Sequence, residues 1–373
     1  MSEKPLPAPK RDPRYRRPTE QSEARLLEIR REAERTGRVS AAGARVPGAP
    51  FPVASPEHGY YGVPMLKQPQ WTWEIPIYFF VGGAAGSAAV VGTVANWTDA
   101  DARLARDARY VAAAGAALSS ALLISDLGRH GRFLNMLRVF KPQSPISVGS
   151  WTLAVFGAAS GAAALAQLVS DMLGIRSVRV LGNVAEVFSC AFGLPFSNYT
   201  GVLIGATVIP VWNHNVGTLP LHFGMSGLNS CVSILELMGH ENKALNVIGL
   251  GASALETWEG YHLEFTRDPR VNEPLKRGVS GWITRVGGVL SGPVPLLLRT
   301  AAAFAGNRRG QQLRRWAAIS SVTGSMLTRW GWFRAGFASA KDWRLPLELK
   351  QQPRQMSEMQ SREEFPRVKA SGE

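Results

Sequence analysis

The sequence predicts an all-α integral membrane protein with eight transmembrane helices in two four-helix bundles. Hydrophobic residues make up 45% of the 373-residue chain, and charged residues only 19%. No Asp, Glu, Lys or Arg occurs in residues 75–98, 142–170 or 187–235. Mostly apolar, uncharged runs of about 18 or more residues are typical of membrane-spanning helices. The mean hydropathy of −0.04 would suit a soluble protein, but it averages polar ends with an apolar middle.

The chain divides into three predicted regions. Residues 1–70 form a polar, basic N-terminal extension, with a short helix expected at 20–36 and a Pro-, Gly- and Ala-rich tether from 41 onward. Residues 71–340 form the membrane domain, and residues 341–373 form a charged C-terminal tail.

Eight spans are predicted within the membrane domain. They lie at residues 74–96, 109–126, 148–170, 178–208, 218–238, 243–265, 282–305 and 315–339. The first is the clearest, because its uninterrupted apolar run covers roughly 30 Å at about 1.5 Å per residue. We expect Pro195 to kink or tilt the fourth span. The last two spans are weaker, since Arg299 and Arg329 interrupt them.

Polar segments separate the spans and are predicted to be loops. They lie at residues 99–109, 129–145, 210–219, 267–277 and 307–315. The basic residues of these segments are divided almost equally between the two sides of the membrane, so they do not predict the orientation.

Small residues are frequent in the predicted spans. Three Gly-x-x-x-Gly pairs occur, at Gly82/Gly86, Gly157/Gly161 and Gly201/Gly205. Such pairs allow two helix backbones to approach closely in lipid, so they favour a compact bundle over separate anchors.

The formal net charge of +14 does not indicate a nucleic-acid-binding protein. A nucleic-acid-binding domain concentrates its basic residues on one soluble face. Here many of the Lys and Arg residues flank apolar segments, as they do in membrane proteins. We therefore expect the lipid bilayer, and no nucleic acid, as a partner.

Several carboxylates are predicted at membrane depth, where an ionisable group is costly and needs a reason. Glu186 and Glu236 lie in the fourth and fifth spans, and Glu256 and Glu259 lie in the sixth. These four residues are candidates for proton transfer. The alternative for each is a structural one, an interhelical hydrogen bond or an ion pair with Arg299 or Arg329.

The sequence provides few ligands for a metal or a haem, and we expect neither in this chain. Its two cysteines, Cys190 and Cys231, cannot supply the ligands of an iron–sulfur cluster. His222 and His262 are the only histidines in the predicted spans, and both are expected near the same surface, so bis-histidine haem ligation is disfavoured. A redox cofactor would have to come from a partner or from a diffusing lipid-soluble carrier.

Four segments in order resemble the NrfD/PsrC family, the integral-membrane subunits of polysulfide-reductase-type respiratory complexes. They are WTWEIPIYFFVGGAAGS (residues 71–87), DLGRHGRFLNMLRVFKPQSPISVGSW (126–151), NYTGVLIGATVIPVWN (198–213) and LPLHF (219–223). One departure is His130, where the family usually has Pro.

The resemblance implies eight helices in two bundles, no bound haem, and a quinone site near one membrane face. It also implies two partners, a ferredoxin-like iron–sulfur subunit and a molybdopterin catalytic subunit. It further implies that this chain lies in the inner (cytoplasmic) membrane. Menaquinone or ubiquinone would be the diffusing substrate.

The same resemblance assigns quinone contact to Tyr199, in the Tyr-Thr-Gly element. Trp71, Glu74 and Tyr78 lie at positions i, i+3 and i+7 on one helical face, and Asp126 ends the second span. The start of the first span and the ends of the second and fourth lie on the same side of the membrane, so these five residues are predicted to converge.

The sequence is also compatible with two other functions. A proton-coupled secondary transporter would also need buried carboxylates, although we see no clear internal repeat. A structural membrane anchor would have no quinone site at all.

Overall fold

The computed structural model describes residues 66–98, 101–265 and 268–342, except for the side chain of Arg176. Within these ranges the chain is all-helical and contains no β-strand. The helix predicted at 20–36, the tether up to residue 65 and the tail after residue 342 lie outside the described residues.

Eleven α-helices and one 3₁₀ helix occur in the described residues. In chain order they are α1 (Glu74–Trp97), α2 (Ala102–Asp126), the 3₁₀ helix (His130–Leu137), α3 (Pro145–Leu173), α4 (Arg176–Gly205), α5 (Pro210–His214), α6 (Leu219–Leu237), α7 (Lys243–Phe265), α8 (Glu273–Lys276), α9 (Gly278–Ser291), α10 (Pro293–Phe304) and α11 (Asn307–Lys341).

Local sequence signals explain several of the boundaries. The Asp101 carboxylate accepts hydrogen bonds from the backbone N–H groups of Arg103 and Leu104, at 2.9 and 3.2 Å, and so caps α2. Pro145 is the first residue of α3, where its missing N–H costs nothing. Gly174 ends α3 in the left-handed conformation, at φ 67°, which favours glycine.

Five segments of the described chain are long and apolar enough to cross a membrane. They are Glu74–Trp97, Ala102–Asp126, Pro145–Leu173, Ser177–Gly205 and Gly278–Phe304. Each of the three remaining predicted spans is also occupied by a helix, α6, α7 or α11. The multi-pass, all-helical character is therefore confirmed, whereas the count of eight crossings stays a prediction.

The structure corrects two predicted loops. Most of the segment 99–109 is the first part of α2, and the segment 307–315 is the first part of α11. Both were assigned to loops because of their arginines, but a helix carries charged residues readily where it emerges from an apolar environment. The seventh span is interrupted at Gly292, which lies between the end of α9 and Pro293, the first residue of α10.

Helix α1 lies in the middle of the packing. It contacts α2, α4, α6 and α11, while α3 packs on α4 and α9 packs on α11. Small residues permit these approaches, because a methyl group added to Gly86 would lie 2.4 Å from the backbone oxygen of Gly193 in α4. The middle of α1 is thereby held close to α4.

Candidate functional site

Thr72 joins two of the predicted site residues just before α1 begins. Its backbone N–H donates to Oδ1 of Asp126 at 3.0 Å, and its hydroxyl lies 2.6 Å from the same oxygen. The hydroxyl also contacts the carboxylate of Glu74. A threonine hydroxyl carries one proton, so it can donate to only one of these two acids. The hydroxyl of Thr72 therefore links the two carboxyl groups.

Tyr199 lies in α4 against the beginning of α3. Its hydroxyl donates to the backbone oxygen of Pro145, and its ring covers Gly149. A side chain at position 149 would overlap that ring, since an added Cβ would lie 2.0 Å from its Cζ. Glycine is therefore required there for the tyrosine to take this position.

A cavity of about 350 Å³ opens beside Tyr199. Its other lining residues are largely apolar: Pro142, Gln143, Pro145, Val148, Thr152, Pro195 and Val202. The cavity thus combines a mostly apolar wall with the phenol of a tyrosine, which is the chemistry that a quinone ring requires.

Tyr78 is buried in α1, one turn after Glu74. It is 1% exposed, and its ring centroid lies 6.3 Å from that of Phe196 in α4. Its hydroxyl is close enough to Tyr199 for an electrostatic interaction. The structure therefore brings Tyr78 near Tyr199, and it brings Glu74 near Asp126 through Thr72.

Trp71 belongs to a different environment, a cleft of about 720 Å³. Its ring stacks on Trp212 of α5 with a centroid distance of 5.7 Å. The indole N–H of Trp212 in turn donates to the backbone oxygen of Trp332 in α11 at 2.8 Å. Thr72 lines the same cleft, so the threonine lies between the cleft and the two acids.

Glu186 is held in a buried ion pair. Both of its carboxylate oxygens accept from the guanidinium of Arg109, at 2.8 and 2.6 Å, and one also accepts from the amide of Asn96 at 2.9 Å. Arg109 donates further to Gln167 and Asn183, at 2.6 and 2.9 Å. The partner of Glu186 is thus Arg109, rather than Arg299 or Arg329, which were the candidates considered from the sequence.

Glu236 is paired with Arg299, as the structural alternative anticipated. The guanidinium of Arg299, which is 0% exposed, donates to Oε1 of Glu236 at 2.7 Å. A second donor of Arg299 reaches the hydroxyl of Ser233 at 3.3 Å. The role of Glu186 and of Glu236 in proton transfer stays a prediction, and each would have to release its arginine to take part.

Glu256 and Glu259 lie together in α7 and line one cavity of about 500 Å³. Both are buried, at 4% and 7% exposure. Arg329 lies nearby in α11 without direct contact to either carboxylate, and its guanidinium instead donates to the backbone oxygens of Phe79 and Phe223, at 2.9 and 3.0 Å. Neither of these two acids lines the cavity beside Tyr199.

Sequence reasoning missed three residues of these sites. Thr72 had no signal beyond its place between two assigned residues, and Arg109 was counted among the loop arginines. Gly149 falls in the Gly-Ser-Trp segment of the family resemblance, and that segment was the one available signal for its role.

Within residues 66–98, 101–265 and 268–342, no group of three or more His, Cys, Asp or Glu side chains is arranged to hold a metal ion.

Comparison with known proteins identifies one matching family. The family model described as polysulfide reductase matches residues 57–257, a range that contains Thr72, Asp126, Gly149 and Tyr199. No curated protein matches the chain. Because the family match covers more than half of the sequence, this multi-pass membrane protein belongs to the polysulfide reductase (NrfD) family.

Proposed function

We propose that this chain is the quinone- or quinol-reactive membrane subunit of a multisubunit respiratory oxidoreductase. Family membership suggests a membrane subunit of such an enzyme, associated with its catalytic or iron–sulfur subunits. The finer proposal is that electrons pass between menaquinone or ubiquinone and a ferredoxin-like iron–sulfur subunit, with a molybdopterin subunit completing the complex. We also propose that the chain crosses the inner membrane eight times and that its eight helices form two four-helix bundles.

One observation carries the proposal, namely the bridge from Thr72 to Asp126 and Glu74. It lies on the same side of the bundle as the cavity beside Tyr199, because α1 and α3 begin there and α2 ends there. Reduction of a quinone to a quinol takes up two electrons and two protons. Two carboxyl groups linked by one hydroxyl are suited to deliver or accept those protons.

Each residue type in and around the cavity would have its own role. The phenol of Tyr199 donates to the backbone oxygen of Pro145 now, and it would donate to a quinone carbonyl by rotating its hydroxyl. The apolar residues around it would hold the ring and exclude water. Asp126 and Glu74 would exchange protons with the site, and Glu256 and Glu259 are proposed as further proton carriers.

The test compares Tyr199→Phe and Asp126→Asn in the assembled complex. The first variant removes one hydroxyl and keeps the ring. The second removes the ionisable group and keeps an oxygen that can accept from Thr72. Loss of one neutral hydrogen bond costs about 0.5–1.5 kcal/mol, or roughly 2- to 13-fold in quinone affinity. Quinone-linked turnover should fall in both variants, while the iron–sulfur subunit still co-purifies.

Tyr110→Phe is the matched control. It removes the same hydroxyl from α2 at a position 16 residues before Asp126, which is about 24 Å along a helix axis. Turnover in this variant should equal that of the unmodified complex. Unchanged turnover and affinity in both site variants would refute the quinone site, and loss of assembly in Asp126→Asn would make that residue structural.

A further inference from the structure

A polar cavity of about 360 Å³ lies where α6 ends and α11 begins. The end of α6 and the loop that follows it form one wall, and the first turns of α11 form the other. In that loop, Nε2 of His240 lies 2.9 Å from Oδ2 of Asp107 in α2. Asp107 precedes Asp126, at the other end of α2, by 19 residues, or about 28 Å along the helix axis. The cavity is therefore at the membrane face opposite the candidate quinone site.

The start of α11 turns a basic face toward this cavity. Arg308, Gln311, Gln312 and Arg315 follow each other at positions i, i+3, i+4 and i+7, and they line the cavity together with Arg314. None of these three guanidinium groups makes a hydrogen bond or a close ion pair with another described residue. Arginines that converge on a polar cavity are suited to bind a phosphate or a carboxylate.

Two glutamates also line the cavity, and one of them is compensated from behind. Glu236 is paired with the buried Arg299 at 2.7 Å, and Arg314 lies within electrostatic reach of it as well. Glu241 accepts from the neutral amide of Gln311 at 2.7 Å, so it keeps its charge beside the arginines.

The acid that faces His240 is compensated outside the cavity. Asp107 lies 3.8 Å from the guanidinium of Arg103 and 3.3 Å from that of Arg106. With Glu236 and Asp107 compensated in this way, three lining arginines face one uncompensated glutamate, an excess of two positive charges. This balance favours an anionic ligand over a zwitterionic or cationic one.

One oxygen of Glu236 needs a hydrogen-bond donor. Arg299 donates to Oε1, whereas Oε2 is buried and accepts no hydrogen bond from the described residues. A buried acceptor without a donor is costly, so a ligand that donates to Oε2 gains free energy. The nearby arginines would repel an ammonium group, whereas a hydroxyl group donates without adding positive charge.

Large apolar side chains surround the cavity and are exposed. Met238 and Trp316 directly adjoin lining residues in the chain, and they are 41% and 63% exposed. Phe304, at the end of α10 beside the start of α11, is 88% exposed. In a membrane protein, exposed tryptophans and other large apolar side chains at helix ends lie at the lipid interface. The cavity is therefore at the level of the lipid headgroups.

We propose that this cavity binds the headgroup of an anionic phospholipid. The phosphate accepts hydrogen bonds from Arg308, Arg314 and Arg315, and a hydroxyl group of the headgroup donates to Oε2 of Glu236. Phosphatidylglycerol carries both groups. The bound lipid links the loop after α6 to the start of α11 at the membrane surface. The site does not depend on the proposed quinone chemistry, because it lies at the opposite membrane face.

The test measures lipid binding to the delipidated full chain in detergent by native mass spectrometry. Dioleoylphosphatidylglycerol should bind more tightly than zwitterionic dioleoylphosphatidylcholine. The double variant Arg308→Gln/Arg315→Gln should weaken phosphatidylglycerol binding about 10-fold, since each guanidinium is exposed and its charge is screened by solvent. Both side chains lack partners in the described chain, so the variant should fold normally.

Arg309→Gln is the matched control. Arg309 is also exposed and lies beside Arg308, but it does not line the cavity. This variant should bind phosphatidylglycerol like the unmodified chain. If it lost as much affinity per arginine as the double variant, the binding would be a general attraction between charges, and the proposed site would be wrong.

Two further ligands test the headgroup and its source. Dioleoylphosphatidylmethanol has the same charge as phosphatidylglycerol but no hydroxyl group, so it should bind several-fold more weakly. Equal binding would overturn the contact with Glu236. Glycerol phosphate has the polar groups without the acyl chains, and it should not displace phosphatidylglycerol at equal concentration. Displacement would make the ligand a soluble phosphate and overturn the assignment to a lipid.

Discussion

Removing one partner from the buried pair of Arg109 and Glu186 should strongly destabilise this protein. We consider Arg109→Met, which keeps an unbranched apolar side chain and removes the guanidinium. Glu186 is 2% exposed and would lose its counter-charge and two of its three hydrogen bonds, keeping only the one from Asn96. Leaving one member of a buried ion pair without its partner typically costs on the order of 3–5 kcal/mol.

The assay is unfolding of the purified protein in mixed micelles by titration with sodium dodecyl sulfate, followed by tryptophan fluorescence. Arg109→Met should lower the free energy of unfolding by about 3–5 kcal/mol. Adding Glu186→Gln to that variant should recover much of the loss, because the neutral amide removes the uncompensated charge. With Glu186→Gln measured alone as well, the coupling between the two changes gives the energy of the pair itself.

Arg179→Met is the control for this experiment. Arg179 is 58% exposed and lies 3.8 Å from Asp171, so removing it should cost less than about 1 kcal/mol. If Arg109→Met cost no more than this control, or if Glu186→Gln recovered nothing, the reasoning from burial and pairing would be refuted.

Three further outcomes are expected. Gly149→Ala should displace the ring of Tyr199 and lower quinone-linked turnover. Gly157→Ala is the control and should be tolerated, because its added methyl group would approach a neighbour no closer than 4.0 Å. Equal turnover in the two variants would contradict this prediction. Reporter fusions at Lys10 and Arg354 should report the same compartment if the chain crosses the membrane eight times, and opposite compartments would exclude that number. The purified subunit should show no Soret band and no stoichiometric iron by absorption and metal analysis, and one haem per chain would overturn this expectation.

Much of the fold could be predicted because charge-free apolar runs mark helix positions directly. Seven of the eight predicted spans each correspond to one helix of the structure, and the seventh corresponds to two, α9 and α10. The helix ends were harder to predict, since arginines at the start of α2 and α11 resemble those of a loop.

The sequence also does not show which of the Gly-x-x-x-Gly pairs lie at a close helix contact. A methyl group on Gly201 would lie 2.5 Å from the backbone oxygen of Leu219, whereas one on Gly161 would meet nothing, and only the packing distinguishes the two.

The candidate site could be predicted in part for a related reason. Residues on one helical face, such as Glu74 and Tyr78, follow from spacing, and the family resemblance supplied Tyr199. The partner of a buried charge does not follow from spacing, because it depends on which helices meet and at what depth. Arg109 and Glu186 are separated by 77 residues, and nothing in their local sequence links them.

The buried guanidinium of Arg329 has a consequence for how this protein is made. It lies in α11, the last helix of the described chain, and donates to the backbone oxygen of Phe79 in α1, 250 residues earlier. Its other acceptors include the backbone oxygen of Phe223 in α6 and the hydroxyl of Ser226. A nascent α11 would reach the membrane with this cation unsolvated unless α1 and α6 were already in place to receive it. Biosynthesis from the N-terminus provides that order, because α1 and α6 are synthesised before α11.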